Sequence, residues 1–227
     1  GDWTNLGPFG VPGKGYEGLG RINAIAFHPT DPDVLYVGAP AGGCWRYDGP
    51  GNWFSTTDDL PTLGVSSIVV DWSNPDRVFI GTGDRDAGDA AGMGIFKSED
   101  AGESWVQWNN GMGNTTVGRM IQHPEDEDVM YAASGSGIWK TTDAGANWFQ
   151  AHSGGYKDIV FKPGDPSTIY VGGGGWTWRS TDDGTTWTKM DNGIPSGSRS
   201  VIAVTDDDPD YVYVLLSTSD SYKGTWR

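Results

Sequence analysis

The apolar residues of this chain fall in short runs closed by turn residues, and the runs recur in a fixed order of four. The first kind is an inner apolar run: Ile22-Asn-Ala-Ile-Ala-Phe-His-Pro29, Ser67-Ile-Val-Val-Asp71, Gly118-Arg-Met-Ile-Gln-His-Pro124, Asp158-Ile-Val-Phe-Lys-Pro163 and Val201-Ile-Ala-Val-Thr205. Turns rich in Asp and Pro follow, such as Thr30-Asp-Pro-Asp33, Ser73-Asn-Pro-Asp76, Gly164-Asp-Pro-Ser167 and Asp207-Asp-Pro-Asp210. A second run, β-branched and aromatic, reads Val34-Leu-Tyr-Val, Val78-Phe-Ile, Val129-Met-Tyr-Ala, Thr168-Ile-Tyr-Val and Val212-Tyr-Val-Leu. Such composition predicts strands. After a Gly-rich loop, a third strand carries an aromatic followed by a base: Trp45-Arg46, Phe96-Lys97, Trp139-Lys140, Trp178-Arg179 and Trp226-Arg227.

Between the third strand and a fourth lies an octet that occurs three times: Ser98-Glu-Asp-Ala-Gly-Glu-Ser-Trp105, Thr141-Thr-Asp-Ala-Gly-Ala-Asn-Trp148 and Ser180-Thr-Asp-Asp-Gly-Thr-Thr-Trp187. Its fixed positions are Ser98, Asp100, Gly102 and Trp105, then Thr141, Asp143, Gly145 and Trp148, then Ser180, Asp182, Gly184 and Trp187. The pattern reads as a hairpin turn. Asp folds back onto backbone N–H groups, Gly supplies a positive φ, Ser or Thr adds a local hydrogen bond, and Trp opens the returning strand. The three aspartates are therefore expected to be architectural. In the first unit Asp48 and Trp53 take the matching places, but Pro50 replaces the Gly and the turn is one residue short.

Four-stranded units of about 40 to 50 residues are the sequence sign of a β-propeller. The expected fold is all-β, one propeller domain over residues 1–227 with antiparallel blades near 20–64, 65–113, 114–155 and 156–198, and a partial blade at 199–227. Residues 1–19 are expected to supply a closing strand, Trp3-Thr-Asn-Leu6 matching Trp187-Thr-Lys-Met190, and a lead-in. Of a five-bladed ring closed by Trp3 beside Trp226 and a larger ring of about seven blades, the larger is expected, this chain being its N-terminal part.

Composition narrows the partners. The chain has 227 residues and a net charge of −15, which argues against nucleic acid, since phosphate binding needs clustered Lys and Arg. A single cysteine, Cys44, precludes an internal disulfide. No apolar run is long enough to span a bilayer, and Gly1-Asp-Trp3 has no signal-peptide pattern, so the N-terminus reads as processed or trimmed.

The octets, together with Phe27-His-Pro, Val34-Leu-Tyr-Val-Gly38 and Gly42-Gly-Cys-Trp-Arg46, make the chain similar to the BNR or Asp-box repeat propellers of sialidase, sortilin and xyloglucanase type. The resemblance implies an octet face turned away from the ligand face. The Gly20-Arg-Ile-Asn-Ala-Ile-Ala-Phe-His-Pro29 opening resembles large secreted bacterial proteins carrying type IX secretion sorting domains, which implies a secreted or cell-surface location and the secretion machinery as a partner. Against the xyloglucan-cleaving glycosidases, the position of an expected catalytic Asp is Pro40. A glycosidase needs two carboxyls flanking the bond. The sialidase pattern is also incomplete: no Phe-Arg-Ile-Pro stretch occurs, and Arg21, Arg119 and Arg199 occupy non-equivalent repeat positions, leaving a three-Arg carboxylate clamp as a minor reading.

Candidate binding residues then come from loops on the face opposite the octets. The loop Gly81-Thr-Gly-Asp-Arg-Asp-Ala-Gly-Asp-Ala-Ala-Gly-Met-Gly94 departs from its siblings and offers Asp84, Arg85, Asp86 and Asp89. Asp84, Asp86 and Asp89 could present carboxylates to calcium, which takes roughly six to eight oxygen ligands. The alternative is a solvated loop in which Asp84 or Asp89 caps a turn. Trp176 replaces a Gly before the third strand and is a candidate sugar platform, with Tyr222 a second. No catalytic residue is assigned: His28 and His123 sit at turn ends, His152 in a loop, and Cys44 in a buried strand. The expected function is a non-catalytic propeller that binds polysaccharide or protein. The alternative is a glycoside hydrolase whose catalytic residues lie partly outside these residues, with Asp84, Asp86 and Asp89 the carboxylates to suspect. An assembly factor resembling the propellers that help build photosystem II is a third reading.

Overall fold

The computed structural model describes residues 21–218 and 221–227, and every described strand belongs to one of five antiparallel sheets. Blade one holds β1 (Ala24–Phe27), β2 (Val34–Ala39), β3 (Gly43–Asp48) and β4 (Trp53–Ser55). Blade two holds β5 (Val65–Val70), β6 (Val78–Thr82), β7 (Ile95–Ser98) and β8 (Val106–Gln107). Blade three holds β9 (Val117–Gln122), β10 (Val129–Ser134), β11 (Gly137–Thr142) and β12 (Phe149–Ser153). Blade four holds β13 (Tyr156–Lys162), β14 (Asp165–Gly173), β15 (Thr177–Ser180) and β16 (Thr188–Lys189), and blade five β17 (Arg199–Val204), β18 (Val212–Ser217) and β19 (Tyr222–Trp226). Within each sheet the spatial order is the sequence order. The expected closing strand at Trp3 lies outside the described residues. Two expectations of detail are corrected. The fourth strands begin one residue after the octet Trp, and His152 lies on β12 rather than in a loop.

The apolar clusters sit between blades. Tyr36, Cys44, Val65, Ile68 and Ile80 fill the first interface, and Phe79, Val117, Met120 and Met130 belong to the second. Tyr131, Ile159 and Ile169 fill the third, and Val160, Tyr170 and Ile202 the fourth. A blade with neighbours on both sides buries both faces, so β6 is buried at every position. The end blades keep the alternation of a one-sided sheet: Ile25 and Phe27 on β1 are exposed, as are Val201 on β17 and Tyr213 and Leu215 on β18. Close stacking requires a small residue where β2 and β6 meet the next inner strand. A Cβ on Gly38 would lie 2.7 Å from Val65 Cγ1, and one on Gly81 2.7 Å from Val117 Cγ1.

The octets explain both their own turn and the packing of one blade on the next. In the second octet the Thr141 hydroxyl accepts from Asp143 N at 3.3 Å and Gly145 N at 3.0 Å while donating to Asp143 Oδ1 at 2.7 Å. Asp143 then accepts from Asn147 N at 2.8 Å and Asn147 Nδ2 at 2.7 Å. Asp100 and Asp182 repeat this, with Ser104 and Thr186 in the place of Asn147. These donors hold all three carboxyls below the usual Asp range, Asp100 at about 2. The seventh octet position must therefore be a polar donor.

The fourth octet residue takes a left-handed conformation without being glycine, φ being 55° at Ala101, 51° at Ala144 and 54° at Asp183. Its N–H bonds the neighbouring turn of its own blade, Ala101 to Asp76 O, Ala144 to Asp128 O and Asp183 to Ser167 O. Its carbonyl meets the preceding blade. Ala101 O accepts from Tyr36 Oη at 2.9 Å and Arg46 Nη1 at 3.2 Å, and Asp183 O from Tyr131 Oη at 2.8 Å and Lys140 Nζ at 3.0 Å. In blade two Phe79 holds the cross-strand place of these tyrosines and has no hydroxyl. There Trp108 Nε1 donates to Ala144 O at 3.1 Å, with Lys97 Nζ 3.5 Å from the Trp108 ring centre.

Thr141→Val keeps the shape but leaves the buried Gly145 N–H without an acceptor. It should lower unfolding stability by about 1–3 kcal/mol, read as a lower urea midpoint at unchanged slope. Tyr131→Phe removes one inter-blade donor and should lower it by about 1 kcal/mol in the same assay.

Candidate functional site

On the face opposite the octets, the loop between β6 and β7 is pinned rather than loose. Thr82 Oγ1 donates to Gly94 O at 2.7 Å and accepts from Met93 N at 2.8 Å, while Gly83 N donates to Gly64 O at 2.9 Å. Within it the buried Asp84 carboxylate accepts from Asp86 N at 3.0 Å, Ala87 N at 3.1 Å and Asp89 N at 3.3 Å, and pairs with Arg21 at 2.6 Å. Burial opposes its ionisation, but the backbone donors and Arg21 outweigh that and hold the carboxyl at about 2.

Arg85 and Asp86 carry this loop to the other blades. Arg85 Nη1 donates to Gly118 O of blade three at 3.0 Å and Nη2 to Asn23 O ahead of blade one at 3.5 Å. Asp86 lies 2.9 Å from Arg199 Nη1 of blade five and 3.5 Å from Arg85 Nε. One loop of blade two thus touches three other blades around the common axis. Beside it runs a cavity of about 380 Å³, lined by the first halves of all five inner strands.

Inner strands have a free edge, and side chains close part of it. Ser67 Oγ accepts from Met120 N at 2.8 Å, and Asp158 Oδ2 accepts from Ile202 N at 2.7 Å. Asp158 Oδ1 takes Ile159 N at 3.1 Å and Arg119 Nη1 at 2.7 Å. Asp158 was not singled out from the sequence. Its signal is a carboxylate set directly before the apolar run Ile159-Val-Phe161 of β13.

Trp176 stands in the loop between β14 and β15. It lines a second hollow of about 330 Å³ with His152, Tyr156 and Trp178. Lys189 Nζ lies 3.1 Å from the Trp176 ring centre, so one ring face carries a cation. His152 Nδ1 and Tyr156 Oη are 2.5 Å apart, and His152 packs on Trp178 at 4.7 Å between ring centres. Burial pushes the imidazole below its ordinary value and the Tyr156 phenol up to about 12.

The structure thus brings Asp84, Arg85 and Asp86 together at the axis, leaves Asp89 exposed at the loop surface, and places Trp176 in the separate hollow between blades three and four. Among the described residues no three His, Cys, Asp or Glu side chains group closely enough to hold a metal ion. Pro40 is buried in the β2–β3 turn and offers no carboxylate. His28 and His123 cap turns through Nδ1, as expected from their positions at turn ends. Burial pushes the Cys44 thiol up to about 12. Tyr222 is exposed on β19.

Comparison with known proteins accords with this architecture. A profile of the family described as Sortilin, neurotensin receptor 3, matches residues 94–192, the stretch containing all three octets. The chain is an all-β propeller similar to those of the sortilin and xyloglucanase kind. A xyloglucanase of Acetivibrio thermocellus is 31% identical over 128 residues, which is 50% of this chain and 15% of that protein. A Paenibacillus xyloglucanase is 29% identical over 129 residues, 50% of this chain and 12% of that one. Among solved structures, the GH74 xyloglucanase of Xanthomonas campestris superposes on 91% of the propeller and 35% of its own chain, with a TM-score of 0.69 at 22% identity. An ancestral GH74 enzyme covers 90% of this chain and 31% of its own, with a TM-score of 0.68 at 17% identity. The propeller therefore spans about 15% of the length of the first of these relatives and about a third of these solved chains.

Because the Asp84 carboxyl is depressed in the folded state, its stabilisation is present above the ordinary Asp value and is lost as pH falls through the folded value. The unfolding midpoint of the propeller should fall between about pH 4 and pH 2, with Asp100 contributing in the same window. Asp84→Ala, which strips three N–H groups of their acceptor, should destabilise by about 1–3 kcal/mol at pH 7 and flatten that acid slope, both read by thermal and urea denaturation.

Proposed function

We propose that this propeller binds polysaccharide, xyloglucan being the first candidate, on the face opposite the octets, as a non-catalytic part of a secreted or cell-surface glycoside-hydrolase-related protein. The observation that carries the reading is the state of the carboxylates on that face. Asp84 is held at about 2 and ion-paired, Asp158 is engaged by two N–H groups and an arginine, and Asp86 lies between Arg85 and Arg199. A general acid for glycoside cleavage needs a carboxyl raised towards neutrality. The hollow of His152, Tyr156, Trp176 and Trp178 supports the sugar side of the reading, because rings at a rim offer stacking surface to pyranoses. Extracellular placement belongs to the same proposal, since such a polymer lies outside the cell.

The apolar end faces at Ile25 and Phe27, and at Val201, Tyr213 and Leu215, support a larger ring of about seven blades in the whole protein. The second reading, a hydrolase whose acid and base come partly from other segments, is favoured by the xyloglucanase relatives. A calcium ion at Asp84, Asp86 and Asp89 is a lesser proposal, because it would compete with Arg21 and the loop N–H groups for Asp84.

In affinity electrophoresis, xyloglucan should retard the propeller, with no release of reducing ends, and Trp176→Ala should weaken retention about tenfold, as loss of a stacking ring worth about 1.4 kcal/mol implies. Turnover abolished by Asp84→Ala defeats the non-catalytic reading in favour of the hydrolase. For calcium, a fall in Tm on chelation supports the ion, and an unchanged Tm removes it.

A further inference from the structure

We propose that the axial cavity is a binding site for a small oxyanion, carboxylate or phosphate in class. The cavity collects positive charge in a chain whose net charge is −15. Arg85, Arg119, Lys157 and Arg199 line it against one lining carboxylate, Asp158, with Asp86 nearby in the crossing loop. The two carboxylates leave the excess standing. Asp158 already takes two backbone N–H groups as well as Arg119, and Asp86 serves both Arg85 and Arg199.

The cations retain donors. Among the described residues Arg119 pairs only through Nη1, the Arg199 guanidinium pairs only with Asp86, and the Lys157 ammonium has neither a hydrogen bond nor an ion pair. At the wall the Ser200 hydroxyl is buried without a hydrogen-bond partner, while Arg85 Nε and Asp86 Oδ1 are buried with ion-pair contacts alone, to Asp86 at 3.5 Å and to Arg199 at 2.9 Å. Like charges gathered round a cavity of about 380 Å³ repel one another, and a ligand carrying negative oxygens relieves that repulsion while taking the open N–H groups. Guanidinium forks and an ammonium suit oxyanions in general, whereas a neutral sugar has no charge to match. The site is separate from the Trp176 hollow and does not rest on polysaccharide binding.

The test is isothermal titration calorimetry of the whole chain at low ionic strength with sodium glucuronate, sodium glutarate, inorganic phosphate and glucose. Saturable one-to-one binding of at least one anion, with no glucose heat, is expected. The arm that binds identifies its source as an acidic sugar, an acidic side chain or phosphate. Lys157→Gln, which breaks no pairing, should weaken that binding about tenfold, and Arg199→Gln should do the same. Trp176→Ala should leave it unchanged. Circular dichroism and Tm confirm that each variant is folded. Absence of saturable binding in all three anion arms overturns the proposal, as does binding that a folded Lys157→Gln retains at full strength.

Discussion

The structure depends on a backbone carbonyl that each octet turns outward. A left-handed residue at the fourth octet position costs about 1 kcal/mol when it is not glycine. Here that conformation swings one C=O out of its own hairpin and towards the preceding blade, where Tyr36 with Arg46, Trp108, or Tyr131 with Lys140 is waiting. The same residue's N–H is fixed to the first turn of its own blade. A local turn and a contact between sheets are thus one feature. This is why the tyrosine on the second strand, the base on the third and the following octet recur together in blades one and three, as donors and acceptor of one junction, while in blade two Trp108 takes the donor's place.

Stacking sheets face to face about a common axis settles where polar groups must go. The interfaces are apolar, so the inner edges become the place where unpaired backbone N–H groups collect. Ser67 and Asp158 answer two of these, each reaching from one blade to the inner strand of the next. The polar lining of the axis is therefore partly an architectural requirement. What that requirement does not cover is the surplus of Arg and Lys there, since an N–H edge calls for acceptors and cations supply none.

Much of the fold was legible because its determinants are local. The octet is defined by hydrogen bonds within eight residues, so Asp100, Asp143 and Asp182 could be assigned to architecture from spacing alone, and the four-run period followed from strand chemistry. The seventh octet position escaped notice because Ser104, Asn147 and Thr186 share a donor group rather than a residue type. The site was less legible. Asp84, Asp86 and Asp89 look alike in sequence, yet one is buried in an Asx-type turn, one lies between two arginines, and one faces solvent. Their differences come from blades one, three and five meeting one loop of blade two, and residue spacing within that loop carries no trace of it. Asp158 and Lys157 were passed over for the same reason, being neighbours of Arg119 and Arg199 only once the sheets are arranged round the axis.

The same geometry bears on chemistry. A carboxyl can act as an acid near neutral pH only where burial or a neighbouring anion outweighs its donors. In this propeller the buried carboxylate at the axis mouth has backbone N–H groups and a guanidinium within reach, and the balance runs to the ionised form. A catalytic pair would need a second surface that brings a carboxyl without bringing its donors. Relatives named as xyloglucanases extend far beyond the matched residues, so such a surface has room to exist in a longer protein. The blades described here supply what a rigid disc supplies best: fixed loops, a ring-lined hollow and a positively charged axis.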